Sequence, residues 1–538
     1  MQFNLCDEPW VLVMGTDGIP QKTSLIDAFK NLHKYLSFAG EVRLQDTAIL
    51  RLFCAISVTM LYRMEPDGRE NFTTDKKVLM DRFKEIWKRG QFPEEMVDGY
   101  FDKWRDRFYL VGGEYPFYQV PESYAKIEVK NKGKKNEEVI YKLPDIHGNY
   151  KAMNLQSISA LNGTILESKS KLSAYANAFA EGKNTMAFDE AARWLIWYMA
   201  FADCGPRVPG KGATSWYAKP TFPSEGALVF PTGQNLFETV MLNSVLFKKE
   251  SPYDSISPAW EQGPSPIIQN EPYGDAAPQN LPELYTQQSR KIMLVSTEDK
   301  ITGAYLIAGD RYGTYNAFIE PMFLWKPDPS DKNNQKQIPV KYTINSSWNT
   351  LRNVLLSSET SRSVDWIHRL EDEDLLEDRN IPFLMTCVVY GDSKRAFIKH
   401  MLSDEVIVNS QFFNDSLKKN DMEKALSMIN GISKAFYHFG CNLETAEGSE
   451  NDLAKIRGKE VERSFLEEAE VCFRRFIKDE IDKTQMREQV QTICRNVSEH
   501  EIKRTDLNAY VNDKMTPVFA ERDLWKNIYP LLKGNKKG

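Results

Sequence analysis

The sequence predicts an α+β chain, an N-terminal mixed α/β domain followed by a C-terminal helical bundle. Three observations lead there. The chain has 538 residues, more than the roughly 250–300 that one hydrophobic core can serve, so at least two domains are expected. Residues 1–120 mix short strand-like runs with helical periods. Beyond about residue 402, apolar residues recur at three- and four-residue steps through several successive segments, the pattern of packed helices. The expected division is 1–400 and 401–538.

Taken in order, Trp10–Met14 is a strand candidate, and Thr16-Asp17-Gly18 favours a hairpin turn after it. Ser24, with Asp27 three residues on, can cap a helix running to about Leu36. Thr47–Met64 and Asp81–Lys88 carry helical periods. Residues 122–150 read as an insertion, with Ile127–Val129 and Val139–Tyr141 alternating as a hairpin around Lys130, Lys132, Lys134 and Lys135. Those lysines are solvated at a tip or, alternatively, touch phosphate. Asp189–Phe201 is a buried helix with acidic residues at its positive end. A glycine- and proline-rich loop, PRVPGKGATS, follows at 206–215.

Seven prolines between Ser251 and Tyr285 exclude a long helix or a central strand, leaving an ordered loop or linker. Lys291–Leu306 reads as paired strands. In the C-terminal part, Asp421–Phe439 is helical and Gly440 is placed to end it. Phe465, Ala469, Cys472, Phe473 and Phe476 repeat the period, as do Met486, Val490, Ile493 and Val497, and a last helix covers Val518–Leu532.

Composition narrows the functional classes. Apolar residues make up 42% and charged residues 27%, with a mean hydropathy of −0.49, which describes a water-soluble chain with room for large cores. Asp7 and Glu8 stand where a secretory signal would be basic and then apolar. The apolar runs Leu52–Tyr62 and Trp194–Ala202 are bounded by Arg51, Arg63, Arg193 and Asp203, shorter than the ~20 residues a membrane span needs. The 7 cysteines are scattered with no CxxC pair, as expected of reduced thiols in a cytoplasmic protein. Net charge is −6. A protein gripping naked DNA alone is usually basic, so any nucleic-acid contact here is local, with partners supplying the remaining positive charge.

The sequence carries no recognisable catalytic constellation. GxSxG, a phosphate-cradling loop, GxGxxG after a strand and HExxH are all missing, and the 6 histidines are dispersed. His438 and Cys441 lie three apart across an expected helix end without a second pair to complete a metal site. Glu371–Asp374 with Glu377 and Asp378 form an acidic run of the solvated kind, whereas nuclease carboxylates normally arrive from separate elements. The expectation is a non-enzyme without metal or cofactor.

Six blocks in order carry a resemblance: FNLCDEPWVLV at 3–13 with SLIDAF at 24–29, YFDKWRDRFYL at 100–110 with EYPFYQ at 114–119, DEAARWL at 189–195, PRVPGKG at 206–212, TQQSRKI at 286–292, and EPMFLW at 320–325. Together they resemble the CasA family, the large subunit of the type I-E CRISPR Cascade complex. The resemblance implies an N-terminal α+β domain and a C-terminal four-helix bundle. It also implies a role in recognising the protospacer-adjacent motif (PAM) of duplex DNA from the minor groove, helping to start strand separation, and recruiting the helicase–nuclease. DEPW, WRDRF and PFYQ are expected to be core and turn residues.

By the same resemblance, the PAM-reading glycine loop maps onto Gly210, Lys211 and Gly212. Glycines suit it, since they let backbone amides approach base edges, and the minor-groove code is degenerate. The basic minor-groove residue maps onto Arg311, no lysine standing before EPMFLW. The wedge beside the PAM maps onto Gly391–Arg395, with Ser393, Lys394 and Arg395 where family members carry amide side chains. The loop meeting guide RNA and neighbouring subunits falls in Leu166–Met186, with Lys169, Lys171, Tyr175, Asn177 and Phe179 as candidates, although the family's glycine–asparagine pattern is not evident there. Implied partners are the other Cascade subunits, guide RNA, target double-stranded DNA and the helicase–nuclease, with no membrane and a monomer when isolated. A structural adaptor that docks the nuclease without reading DNA and an uncharacterised hydrolase stay open as alternatives.

Overall fold

A computed structural model of the chain describes residues 2–133, 137–163, 184–202, 221–248, 251–265, 267, 278–310, 320–332, 336–340, 362–376, 378–390, 398–449, 451–513 and 515–533, with backbone alone at 205–207, 216–218, 413–414 and 451. The chain divides into two compact units: Met1–Asn345 with Glu359–Leu375 and Leu384–Asp404, and Ser346–Ser358 with Leu376–Phe383 and Glu405–Gly538.

The first unit is built around the helix Arg43–Arg63, of which every residue from Leu44 to Tyr62 is buried. A helix apolar on all sides must be covered on all sides. Helices Phe188–Phe201, Leu236–Leu242 and Leu281–Tyr285 do this, with Lys76–Arg89 and Glu94–Trp104. The helix extends the apolar Leu52–Tyr62 run to a length and composition that a membrane span would also have, but its apolar window is wholly buried inside the protein, as a core helix is. Arg51 does not end the apolar stretch. It sits inside the helix, 2.9 Å from the Glu320 carboxylate and 2% exposed, with Glu320 itself fully buried. Burial works against its charge, but Glu320 beside it holds the guanidinium above its ordinary value.

Around this core lie small antiparallel sheets. Val11–Gly15 pairs with Pro20–Thr23 and with Tyr35–Phe38, and Gly18 adopts φ +77° in the predicted turn. Ser24 caps the next helix by accepting from the Asp27 amide at 3.1 Å. That helix ends at Asn31 rather than near Leu36. Tyr35 and Phe38 are needed as buried positions of the third strand, and this pairing overrides the helical period. The lysine hairpin forms as Lys126–Lys130 with Glu138–Pro144, and Tyr150–Ala152 adds a third strand missed in the sequence. Its base packs through Leu143 into a cluster with Val120, Met153, Met293 and Ile307. Arg290–Ser296 and Lys300–Ala308 form the expected strand pair, flanked by Asn154–Ser157 and Met186–Ala187. The proline-rich stretch holds two short helices, Ala259–Gln262 and Leu281–Tyr285, the second opened by Asn280 as N-cap.

The second unit contains a four-helix bundle: Ser416–Ala446, Asn451–Ile477, Lys483–Arg504 and Pro517–Lys533. Short connections make successive helices antiparallel neighbours. Asp482 and Gln485 complete a reciprocal capping box at the third. Gly440 does not end the first helix, which continues to Ala446. A Cβ on Gly440 would come within 2.8 Å of the Arg457 carbonyl oxygen, and one on Gly458 within 2.8 Å of the Tyr437 carbonyl oxygen. The two glycines let the first two helices cross at backbone contact, which is why glycine stands there. His438 and Cys441 consequently lie within one continuous helix.

Candidate nucleic-acid interface

The helix Phe188–Phe201 follows directly on Met186–Ala187, which pairs with Ile301 and Lys300. In its second turn Arg193, 4% exposed, bonds Glu41 at 2.8 Å, Asp189 at 3.0 Å and the Trp10 carbonyl at 2.7 Å. Burial pushes the Asp189 carboxyl up, but hydrogen bonds from Lys22 and Arg193 outweigh it and hold the group below its ordinary value. These contacts bind the DEAARWL and DEPW blocks into one core. Trp10, Phe108, Phe117 and Tyr118 are likewise buried, and Arg105 pairs with Asp7.

The other end of the helix gathers the candidate segments. The last carbonyls of a helix have no intrahelical partner, and here a series of groups satisfies them. The Tyr198 carbonyl accepts from the Ala202 amide. The Ser289 hydroxyl donates to Met199, and the Thr221 hydroxyl donates to Ala200. The Tyr390 phenol donates to both Phe201 and Ala202, at 3.2 and 3.3 Å.

Each of these donors belongs to a flank of a predicted site. Residues 208–215 run between the antiparallel pair Gly205–Arg207 and Trp216–Ala218, and Thr221 follows that pair. Ser289 accepts the Gly309 amide on its carbonyl at 3.1 Å, and Asp310 donates its amide to Gln288 at 2.9 Å. The Asp310 carboxylate lies 3.1 Å from the fully buried Lys291 ammonium. The residue before Arg311 is thus held on both its backbone and its side chain. Tyr390 ends the strand Asn380–Tyr390, which neighbours Ile398–Asn409 in a three-stranded sheet. A connection confined to 391–397 is too short for a parallel crossover, so the two strands are antiparallel. Gly163, which precedes 164–183, lies against Trp197 of the same helix, and a Cβ there would sit 2.4 Å from the indole.

The proposed contact residues themselves, Gly210, Lys211, Gly212, Arg311, Ser393, Lys394, Arg395, Lys169, Lys171, Tyr175, Asn177 and Phe179, lie outside the described residues. What the structure brings together is their flanks. Of the three hydroxyl donors, Ser289 falls within the TQQSRKI block and Tyr390 immediately precedes the expected wedge. Nothing in the sequence around Thr221 distinguishes it from any loop threonine.

Chemically, this helix end is a junction at which side-chain hydroxyls donate to main-chain carbonyls. Among the described residues, no group of three or more His, Cys, Asp or Glu is placed to hold a metal ion. The acidic run disperses into pairs: Glu373 with Lys84, and Glu371 at 3.9 Å from His368. Glu377 lies outside the described residues, and Asp378 accepts from Gln411.

Fold and junction define a two-unit α+β protein whose first unit ties flanks of several predicted segments to one helix end. The family model described as CRISPR-associated protein Cse1 matches residues 4–505, and the chain belongs to that family. It is 24% identical over 471 residues to the CRISPR-associated protein CasA/Cse1 of Thermus thermophilus, covering 86% of this chain and 82% of the relative. Thermobifida fusca Cse1 superposes with a TM-score of 0.77 at 22% identity, over 99% of this chain and 98% of that one. A chain of a structure described as a CRISPR RNA-guided surveillance complex gives a TM-score of 0.63 at 14% identity, over 98% and 99% of the two chains.

Proposed function

We propose that this chain is a non-catalytic subunit of a Cascade-type RNA-guided surveillance complex, where it recognises the PAM of duplex DNA from the minor groove, promotes strand separation and helps to recruit the helicase–nuclease. Family membership and full-length likeness to a chain of such a complex support the subunit role. One observation supports the DNA-reading role. Thr221, which follows the strand pair flanking 208–215, and the strand leading into 391–397 are tied to consecutive carbonyls of one helix end. A glycine loop and a wedge that act on adjacent base pairs need such a common anchor. Guide pairing would read the remainder of the target.

The test is reconstitution of the complex with guide RNA, with and without this chain, on targets bearing a randomised PAM. The chain is expected to impose a preference of about 1–3 kcal/mol per base pair read. Gly210 and Gly212 replaced together by bulkier residues should flatten that preference without unfolding the protein, because a Cβ blocks close backbone approach to the groove floor. Lys211→Ala should instead weaken all targets alike and lower the salt slope, as loss of a phosphate contact does. A complex that assembles with the double glycine variant and still separates good from bad motifs would remove the glycine loop from the reading. Equal binding of all motifs by the wild-type complex would favour the adaptor alternative.

A further inference from the structure

We infer that the Tyr390 hydroxyl is a positioning group that couples motif reading to strand opening, by holding the entry to 391–397 against the exit of the helix that leads into 203–215. The inference rests on the DNA-reading function proposed above and goes beyond it, because it assigns the coupling to one hydroxyl outside both contact segments.

The geometry is specific. Tyr390 is the last residue of its strand, and Phe201 the last of its helix. The phenol spans two successive carbonyls, at Phe201 and at Ala202, where the backbone turns from helical to extended with ψ 140°. It therefore fixes direction as well as distance at the point where the chain leaves the helix. Other contacts hold each side independently. The strand is pinned to the central helix through Thr386 and Thr47 at 3.2 Å, and the helix end keeps the donors Ser289 and Thr221. Removing the Tyr390 hydroxyl should leave both elements folded while loosening their mutual placement.

The experiment compares wild-type and Tyr390→Phe chains in the fully reconstituted complex on three matched targets. These are a duplex with a good motif, a duplex with a bad motif, and a good-motif target with the first base pairs beside the motif left unpaired. Loss of a neutral hydrogen bond predicts about three- to tenfold weaker binding of the good-motif duplex by the variant. On the pre-opened target the variant should match wild type within about twofold, since no opening remains to be coupled. A purely structural role would weaken both targets equally, and that result, or an unchanged duplex affinity, overturns the inference. If instead wild type does not distinguish good from bad motifs, the DNA-reading function itself falls, and the inference with it. Thermal unfolding of the isolated variant within a few degrees of wild type confirms that the protein tested is folded.

Discussion

Arg51 and Glu320 offer the sharpest test of the fold. The pair is 2.9 Å apart with both side chains almost completely buried, and Arg51 also lies over the Tyr285 ring at 4.0 Å. At an effective dielectric of ~20, two unit charges at that separation attract by about 6 kcal/mol, against a desolvation cost of several kcal/mol per ion. Arg51 Nη2 and Glu320 Oε2 have no hydrogen-bond partner among the described residues, so the pair itself contributes little net stability. Breaking it is another matter. Arg51→Met leaves a carboxylate buried without a cation and should cost about 3–5 kcal/mol. Glu320→Gln strands the guanidinium and should cost a similar amount. The double variant Arg51→Met/Glu320→Leu removes both charges and should return to within about 1–2 kcal/mol of wild type. Urea unfolding followed by tryptophan fluorescence reads this in the first unit, because of the 11 tryptophans all but Trp348 and Trp525 belong to its residue ranges. A single variant within about 1 kcal/mol of wild type, or a double variant at least as unstable as the two singles summed, refutes the reasoning.

Other outcomes follow from particular residues. Burial raises the Asp46 carboxyl from 3.8 to about 6, despite the Gly40 amide that donates to it. The folded state therefore holds this proton more tightly than the unfolded chain. The penalty is absent below about pH 4, grows as pH rises through 6 and is complete above it, at up to about 3 kcal/mol. Asp46→Asn should accordingly stabilise the protein at pH 8 and leave it nearly unchanged at pH 4, and equal urea midpoint shifts at the two pH values would contradict this. Gly440→Val should push the first two bundle helices apart and destabilise the bundle by about 2–3 kcal/mol, read from the thermal transition of helical circular dichroism; an unchanged transition would mean the crossing is looser than described. The isolated chain, with net charge −6, should bind short duplex DNA weakly and with a strong salt dependence. Tight, salt-insensitive binding in a gel-shift titration would contradict that. The chain should not cleave DNA with or without divalent metal, and turnover that follows the protein through purification would overturn the non-catalytic assignment.

The elements legible in the sequence are those whose period and caps agree. Ser24, Gly18 and the long apolar stretch before Met64 each announced a structure that forms. The misreadings share a cause, since local pattern was overruled by a partner distant in sequence. Tyr35 and Phe38 continue a helical period but serve a sheet. Gly440 has the form of a helix stop, yet its role is set by Gly458. Arg51 interrupts an apolar run only until Glu320, 269 residues later, neutralises it. Of the sequence blocks, TQQSRKI reaches the junction through Ser289, while DEAARWL opens the helix whose far end forms it. Its anchors were not legible. A hydroxyl that caps a remote carbonyl leaves no periodicity, and a lone threonine such as Thr221 resembles any other.

The junction at the end of Phe188–Phe201 has a consequence for how such a protein can diverge. Its acceptors are main-chain oxygens, which every amino acid supplies, so residues 199–202 can be exchanged without altering what they offer. Only the three donors, Ser289, Thr221 and Tyr390, are tied to chemical identity. The segments they frame are therefore free to vary in length and content while their points of departure stay put. The sequence Asp392-Ser393-Lys394-Arg395, where the family resemblance leads one to expect amides, is the kind of change this arrangement accommodates. Under the proposed function, new target motifs can be explored by rewriting these segments while the anchoring helix end stays the same.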